Sequence, residues 1–178
     1  MRLVVITNIL APYRIPLFEA LRSQVDDFTV LLMAKTEENR QWTIDQVNFK
    51  TESLPGFHCL LGGSEVSVHI NYGVIRRLIR LRPDVVLSGG FSLANIAAYT
   101  YCKLFGAAYV GWGELTLKDG AEHSGIKKAI RRIMTHGSTR SIASSSAARD
   151  AFVYYGAKPD TVLTTILPFD VSSLHAAA

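Results

Sequence analysis

Residues 83–112 read PDVVLSGGFSLANIAAYTYCKLFGAAYVGW, and this stretch decides the fold. Phe91 to Trp112 is apolar over a nearly membrane-spanning length. Ser92, Asn95, Thr100 and Lys103 interrupt it, however, and Gly106 splits it into two pieces of different character. A buried helix over Ser92 to Phe105 followed by a buried strand over Ala107 to Trp112 accounts for it better than a membrane span. Asp84 to Leu87, ahead of Ser88-Gly89-Gly90, adds a strand before the helix. The unit is therefore strand, helix, strand, in which two parallel strands are joined by a right-handed crossover.

The same alternation extends outward in both directions. Leu3 to Thr7 and Phe28 to Met33 are continuous apolar runs, as expected of strands buried on both faces. Between them Ile15, Leu17, Phe18 and Leu21 recur at helical spacing. Pro12 and Pro16 suit only a first turn, so the regular helix is expected near Ile15. Residues 35–55 read as a polar excursion with short strands around Trp42 and Val47-Phe49, and Phe57 to Leu61 as a third apolar run ended by Gly62-Gly63-Ser64. Later come a helix over Tyr72 to Leu81 closed by Pro83, a helix over Gly125 to Thr135 and a short strand over Ser141 to Ala143. The series ends with a helix over Ser146 to Tyr155 stopped at Gly156 and a strand over Val162 to Ile166. Strands separated by helices predict one doubly wound α/β domain over residues 1–178, with a mostly parallel sheet and helices on both faces.

Composition agrees with a packed domain. The chain has 178 residues, 48% of them hydrophobic and 19% charged, with a formal net charge of +4, which excludes intrinsic disorder. A chain of this length buries roughly 70% of the surface of its unfolded form. Two cysteines, Cys59 and Cys102, are too few for a disulfide scaffold and fit a reducing compartment. The apolar segment after Met1-Arg2 is too short for a signal-peptide core.

In such a sheet ligands bind beyond the carboxyl ends of the strands. The residues to inspect are then Asn8 to Arg14, Gly62 to Glu65, Ser88 to Ser92, Gly111 to Glu114 and Pro168 to Asp170. The first of these loops lacks the Gly-x-Gly-x-x-Gly turn of a dinucleotide site, and no Walker-type phosphate loop occurs. No nucleophile elbow is present, and His58, His69, His123, His136 and His175 are too scattered to predict a metal site. Gly89-Gly90 either makes a tight turn or lets backbone approach an anion at the next helix start. Trp112-Gly113-Glu114 sets a carboxylate beside an aromatic at a strand end, which suits a polyhydroxylated ligand as well as it suits an ordinary solvated loop. Glu114 and Glu122 stand eight positions apart, but the intervening residues do not read as one helix, and the spacing is taken as coincidence.

Charge is concentrated locally, since Ile126 to Arg140 carries five basic residues and no acid. Lys127, Lys128, Arg131 and Arg132 cluster on one helical face, with Ile126, Ile130, Ile133 and Met134 on another. Arg76, Arg77 and Arg80 repeat the pattern against Ile75, Leu78 and Ile79. Such a helix either lies on an anionic membrane surface or packs on the sheet with a solvated basic exterior. Nucleic acid is not expected, because the basic residues are not interleaved with exposed aromatics.

The order of these pieces resembles the N-terminal domain of bacterial family 4 glycosyltransferases. The likeness rests on Ala11-Pro12-Tyr13-Arg14-Ile15-Pro16-Leu17-Phe18-Glu19-Ala20-Leu21 after the first strand and on Leu81-Arg82-Pro83-Asp84-Val85-Val86. At the end, Ser144-Ser145-Ser146 opens a helix and Leu167-Pro168-Phe169-Asp170-Val171 resembles the family's Pro-Asn-Gly-Val-Asp turn, with Phe169 in place of Asn and no following Gly. The resemblance implies the Rossmann-like half of a GT-B fold, the acceptor-side domain of a retaining enzyme of bacterial glycan biosynthesis, inactive alone. It also implies a donor-binding domain outside this chain, which would carry the family's Glu-x7-Glu signature. A nucleoside-diphosphate sugar would be the donor, a sugar or lipid-linked glycan the acceptor, with no cofactor or metal in this domain. Asn8, Pro12, Tyr13 and Arg14 would face the donor phosphates, with Gly89, Gly90, Phe91, Trp112 and Gly113 also contacting substrate. Glu114 would lie near the reacting sugar, where many members have a histidine, and is the catalytic candidate. Several relatives dock on the inner membrane face through a basic helix, which implies a cytoplasmic, peripheral protein with Lys127, Lys128, Arg131 and Arg132 toward the lipid. The alternative is a non-catalytic α/β module that binds a small anionic or sugar ligand.

Overall fold

A computed structural model describes residues 1–36, 46–60, 67–117 and 125–165. Trp42, Gly62 to Glu65, Glu122 and Pro168 to Asp170 lie outside the described residues.

Seven strands form one sheet, every pair of neighbours parallel. They are β1 (Arg2–Thr7), β2 (Asp27–Leu32), β3 (Lys50–Ser53), β6 (Val85–Gly89), β7 (Ala108–Gly113), β8 (Arg140–Ala143) and β9 (Val162–Thr164), in the order β3-β2-β1-β6-β7-β8-β9. Two further strands, β4 (Gly56–Leu60) and β5 (Ser67–Asn71), pair antiparallel as a separate ribbon. The helices are α1 (Ile15–Ser23), α2 (Val74–Leu81), α3 (Leu93–Phe105), α4 (Gly125–Gly137) and α5 (Ser146–Tyr154). The expected doubly wound α/β architecture is therefore present.

The apolar runs become strands because both of their faces are covered. Val4 and Ile6 point to one side, where Val74 and Leu78 of α2, Ala94, Ala98 and Tyr101 of α3, and Met134 of α4 close over them. Leu3 and Val5 point to the other side, against Phe18 of α1 together with Phe28 and Phe49. Phe18 is 0% exposed, and its ring lies 6.1 Å from Phe28 and 5.8 Å from Phe49. Such aromatic contacts contribute about 0.5–1.5 kcal/mol each beyond the area they bury. A smaller core under α5 joins Ala148 and Phe152 to Ala143 and Val162. At the amino edge, Asp84 accepts from the Arg2 backbone N–H at 2.7 Å and from its guanidinium at 2.9 Å, clamping the starts of β1 and β6. Those bonds hold the Asp84 carboxyl below the usual carboxylate range. Cys102 lies inside the first core, where burial pushes its thiol up to about 12. It is an inert packing residue there.

The α1 start at Ile15 matches its expectation, preceded by a 3-10 turn over Pro12–Arg14. Three expectations need correction. The strand placed around Val47-Phe49 lies instead at Lys50–Ser53, because the register with Thr29–Leu32 selects the polar segment, while Phe49 packs as the lead-in. The apolar run that begins at Phe57 does not join the main sheet: Gly56–Leu60 pairs with Ser67–Asn71, a strand that Ser, His and Asn conceal in the sequence, and Leu61 lies outside the described residues. α2 begins two residues later than Tyr72, because Gly73 sits at φ 80°, a left-handed conformation outside the helix.

Candidate functional site

β1, β6 and β7 are neighbours, and the loops leaving their carboxyl ends surround a cavity of about 660 Å³. That volume lies in the range of small-molecule sites. Thr7, Asn8, Tyr13 and Arg14 come from the first loop, Gly89, Gly90 and Phe91 from the second, and Trp112, Gly113 and Glu114 from the third. The cavity thus gathers Asn8, Tyr13, Arg14, Gly89, Gly90, Phe91, Trp112, Gly113 and Glu114, every residue expected to contact substrate except Pro12. Pro12 opens the 3-10 turn that carries Tyr13 and Arg14.

Arg14 is the best-anchored polar group of this cavity. Its Nη1 donates to Thr7 Oγ1 at 2.8 Å, and its guanidinium lies 4.7 Å from the Trp112 ring centre and 5.6 Å from that of Tyr13. Stacking on the indole lets the cation shed water without losing all of its electrostatic stabilisation. Nε of Arg14 is buried and has no protein partner among the described residues. Glu114, by contrast, is exposed at the opening. The site therefore combines a fixed cation on an aromatic floor with a carboxylate at its mouth.

The second loop has a support that the sequence reading missed. Asn95, 1% exposed, donates through Nδ2 to the Gly89 carbonyl at 2.9 Å and to Ser88 Oγ, while its Oδ1 accepts from the Ser92 backbone N–H at 2.9 Å. Ser92 caps α3 and Asn95 returns the bond, a reciprocal cap of the Ser-x-x-Glu kind with Asn at the third helical position. The Ser92-x-x-Asn95 spacing was the available signal. Gly90, at φ 92°, makes the turn between strand and cap that a side chain would strain.

Arg131 is the other residue the sequence placed differently. It lines this cavity instead of the outer surface of α4, its guanidinium 5.5 Å from the Phe91 ring centre and 5.6 Å from that of Tyr155. The arc of α4 turned inward carries Arg131, Met134 and Thr135, so the basic and packed faces overlap, and Ile126 is left 75% exposed and Ile133 61% exposed. Lys127 and Arg132 are exposed and Lys128 is half-buried. Among the described residues no group of three His, Cys, Asp or Glu side chains is placed to hold a metal ion, and no helix is long and apolar enough to cross a membrane.

No protein-family model matches the chain, and no curated protein sequence matches it. Solved structures do share its architecture. HepE from Anabaena, in complex with UDP and glucose, matches with a TM-score of 0.66 and 14% identity over 97% of this chain and 46% of its own. The UDP-GlcNAc 2-epimerase from Methanocaldococcus jannaschii matches at 0.54 and 13%, over 92% and 45% of the two chains. MnaA from S. aureus, solved with UDP, matches at 0.58 and 14%, over 93% and 44%. The chain thus spans about half the length of the solved chains it matches. At such identities the likeness shows the fold, the Rossmann-like half of a GT-B arrangement.

Replacing Asn95 with Ala leaves the Gly89 carbonyl and the Ser92 N–H without their partners. The expected loss is about 1–3 kcal/mol in unfolding free energy. Urea denaturation measures it, and hydrogen exchange should show faster opening at Gly90 to Ser92 than at β1.

Proposed function

We propose that this chain is the acceptor-side domain of a nucleotide-sugar-dependent glycosyltransferase of bacterial glycan biosynthesis, family 4-like and retaining. It would work against a donor-binding domain lying outside residues 1–178. The observation that carries the reading is the cavity at the ends of β1, β6 and β7, where Arg14, Trp112 and Glu114 meet in a fold shared with a protein solved with UDP and glucose.

In this reading Trp112 offers its ring to the apolar face of a sugar. Arg14 offers a preorganised cation to an oxygen of the donor diphosphate as charge develops there. Glu114 accepts a hydrogen bond from the acceptor hydroxyl and aims its oxygen at the anomeric carbon. A bond then forms from the acceptor oxygen to the anomeric carbon, the bond from that carbon to the diphosphate breaks, the acceptor proton passes to the Glu114 carboxylate, and the diphosphate departs as an anion beside Arg14. The second wall of the cleft belongs to the donor half, so the domain alone would not turn over. A sugar or lipid-linked glycan is the acceptor, and the protein is cytoplasmic.

The test is UDP release from UDP-glucose in the presence of an oligosaccharide acceptor. No release is expected from residues 1–178 alone, and about a 100-fold loss from Glu114→Gln once the donor half is joined. Transfer by the isolated chain would contradict the division of labour. UDP release with the sugar epimerised and not transferred would favour the chemistry named for the 2-epimerase neighbours. Binding of sugar without turnover in the joined protein would favour a non-catalytic module.

The outer side of α4 supports peripheral contact with an anionic membrane, since Lys127, Lys128 and Arg132 flank exposed Ile126 and Ile133. Co-sedimentation with phosphatidylglycerol vesicles should fall several-fold when all three basic residues become Glu. Unchanged sedimentation would dispose of this contact.

A further inference from the structure

A second cavity, also of about 660 Å³, opens on the same edge of the sheet at the end of β3. It is lined by Arg76, Arg77 and Arg80 of α2, by Tyr72, and by Glu52 to Pro55. Leu54 and Pro55 directly follow β3, and β3 is two strands from β1, or roughly 10 Å at ordinary strand spacing. The two cavities therefore lie at the same edge of the sheet.

Its charge is one-sided. Glu52 is ion-paired with Arg77, which holds that guanidinium against the β3 edge. Arg76 and Arg80 have no carboxylate partner among the described residues, although they stand four apart on one helix, where like charges repel. α2 has no acidic residue in its first turn and no side-chain cap, so the dipole at its start adds to the positive field around Arg76, while Arg80 stands in its last turn. An arrangement that keeps three guanidiniums around a concavity is stabilised when an anion enters it.

Beside the arginines lies an apolar strip. Phe57 pairs with Ile70 across the β4–β5 ribbon, and Tyr72 is two residues beyond Ile70. Phe57 is 73% exposed and Tyr72 59%, their ring centres 6.3 Å apart. Exposed rings next to a charged cavity mark a binding surface.

We propose that this cavity is a remote subsite for an acidic sugar unit, a carboxylate- or phosphate-bearing residue of a glycan chain. Arg76 and Arg80 hold the acid and Tyr72, with Phe57, carries the apolar face of a ring. The inference deepens the glycan reading of the first cavity by naming an acidic acceptor chain that runs along this edge. A bilayer fits this place less well, because the guanidiniums line a hollow beside the β4–β5 ribbon. A nucleic acid strand fits less well because the positive field is confined to two turns of one helix.

Isothermal titration of the chain with tetragalacturonate and with glucose 6-phosphate tests the proposal. At least one should bind, neutral maltotetraose should not, and R76Q/R80Q should weaken the acidic ligand at least tenfold. Tyr72→Ala should weaken tetragalacturonate several-fold while its thermal melting stays unchanged. Trp112→Ala should leave this binding intact, so failure of the first cavity as a sugar site would be seen separately. The proposal is overturned if neither acidic probe binds or if the double variant binds as wild type. It is also overturned if the arginines affect only phosphatidylglycerol vesicles or a single-stranded oligonucleotide.

Discussion

The strand order reverses at β1. From β1 the chain steps to β2 and β3 on one side, and β6 through β9 then fill the other. Since all these strands run parallel, their carboxyl ends share one edge, and the crossovers leaving β1 and β6 diverge to open a crevice there. The loops that build the principal cavity are therefore placed by topology before any chemistry is specified. The apolar layers on both faces of the sheet hold that topology, with Phe18 sealing one and α2, α3 and α4 the other.

Upon this frame a few polar contacts set the shape of the site. Asn95 ties the Gly89 turn to the start of α3, which fixes the second wall of the cavity. Arg14 bridges the end of β1 to the end of β7 by bonding Thr7 and covering Trp112. Arg131 reaches from α4 to Phe91 of the opposite loop. The cavity is thus bordered by two guanidiniums, each spread on aromatic rings, with Glu114 at the opening.

Much of this was legible because β1, β2, β6 and β7 are continuous apolar runs, and strands buried on both faces leave that signature. Once the strands are known, their carboxyl ends follow, and the loops of the site follow from those. β3 was not legible: Lys50-Thr51-Glu52-Ser53 is an edge strand facing solvent, and hydrogen bonding to β2 alone selects it. β5 was hidden for a different reason, because its Asn71 is buried to donate to the Met33 carbonyl at 2.7 Å, which ties the ribbon to the sheet. Arg131 was assigned by helical spacing to the outer basic face. Spacing alone does not reveal that Phe91 and Tyr155 offer a cation a better place inside.

The proposed meeting of a nucleotide sugar with this domain is in the principal cavity. Hydrogen–deuterium exchange of the chain joined to its donor-binding half, with and without saturating UDP-glucose, addresses it most directly. Slower exchange is expected in Thr7 to Arg14, Gly89 to Ser92 and Trp112 to Leu115, with β2 and α2 unchanged. Unchanged exchange in all three loops, or slowing confined to other segments, would contradict it.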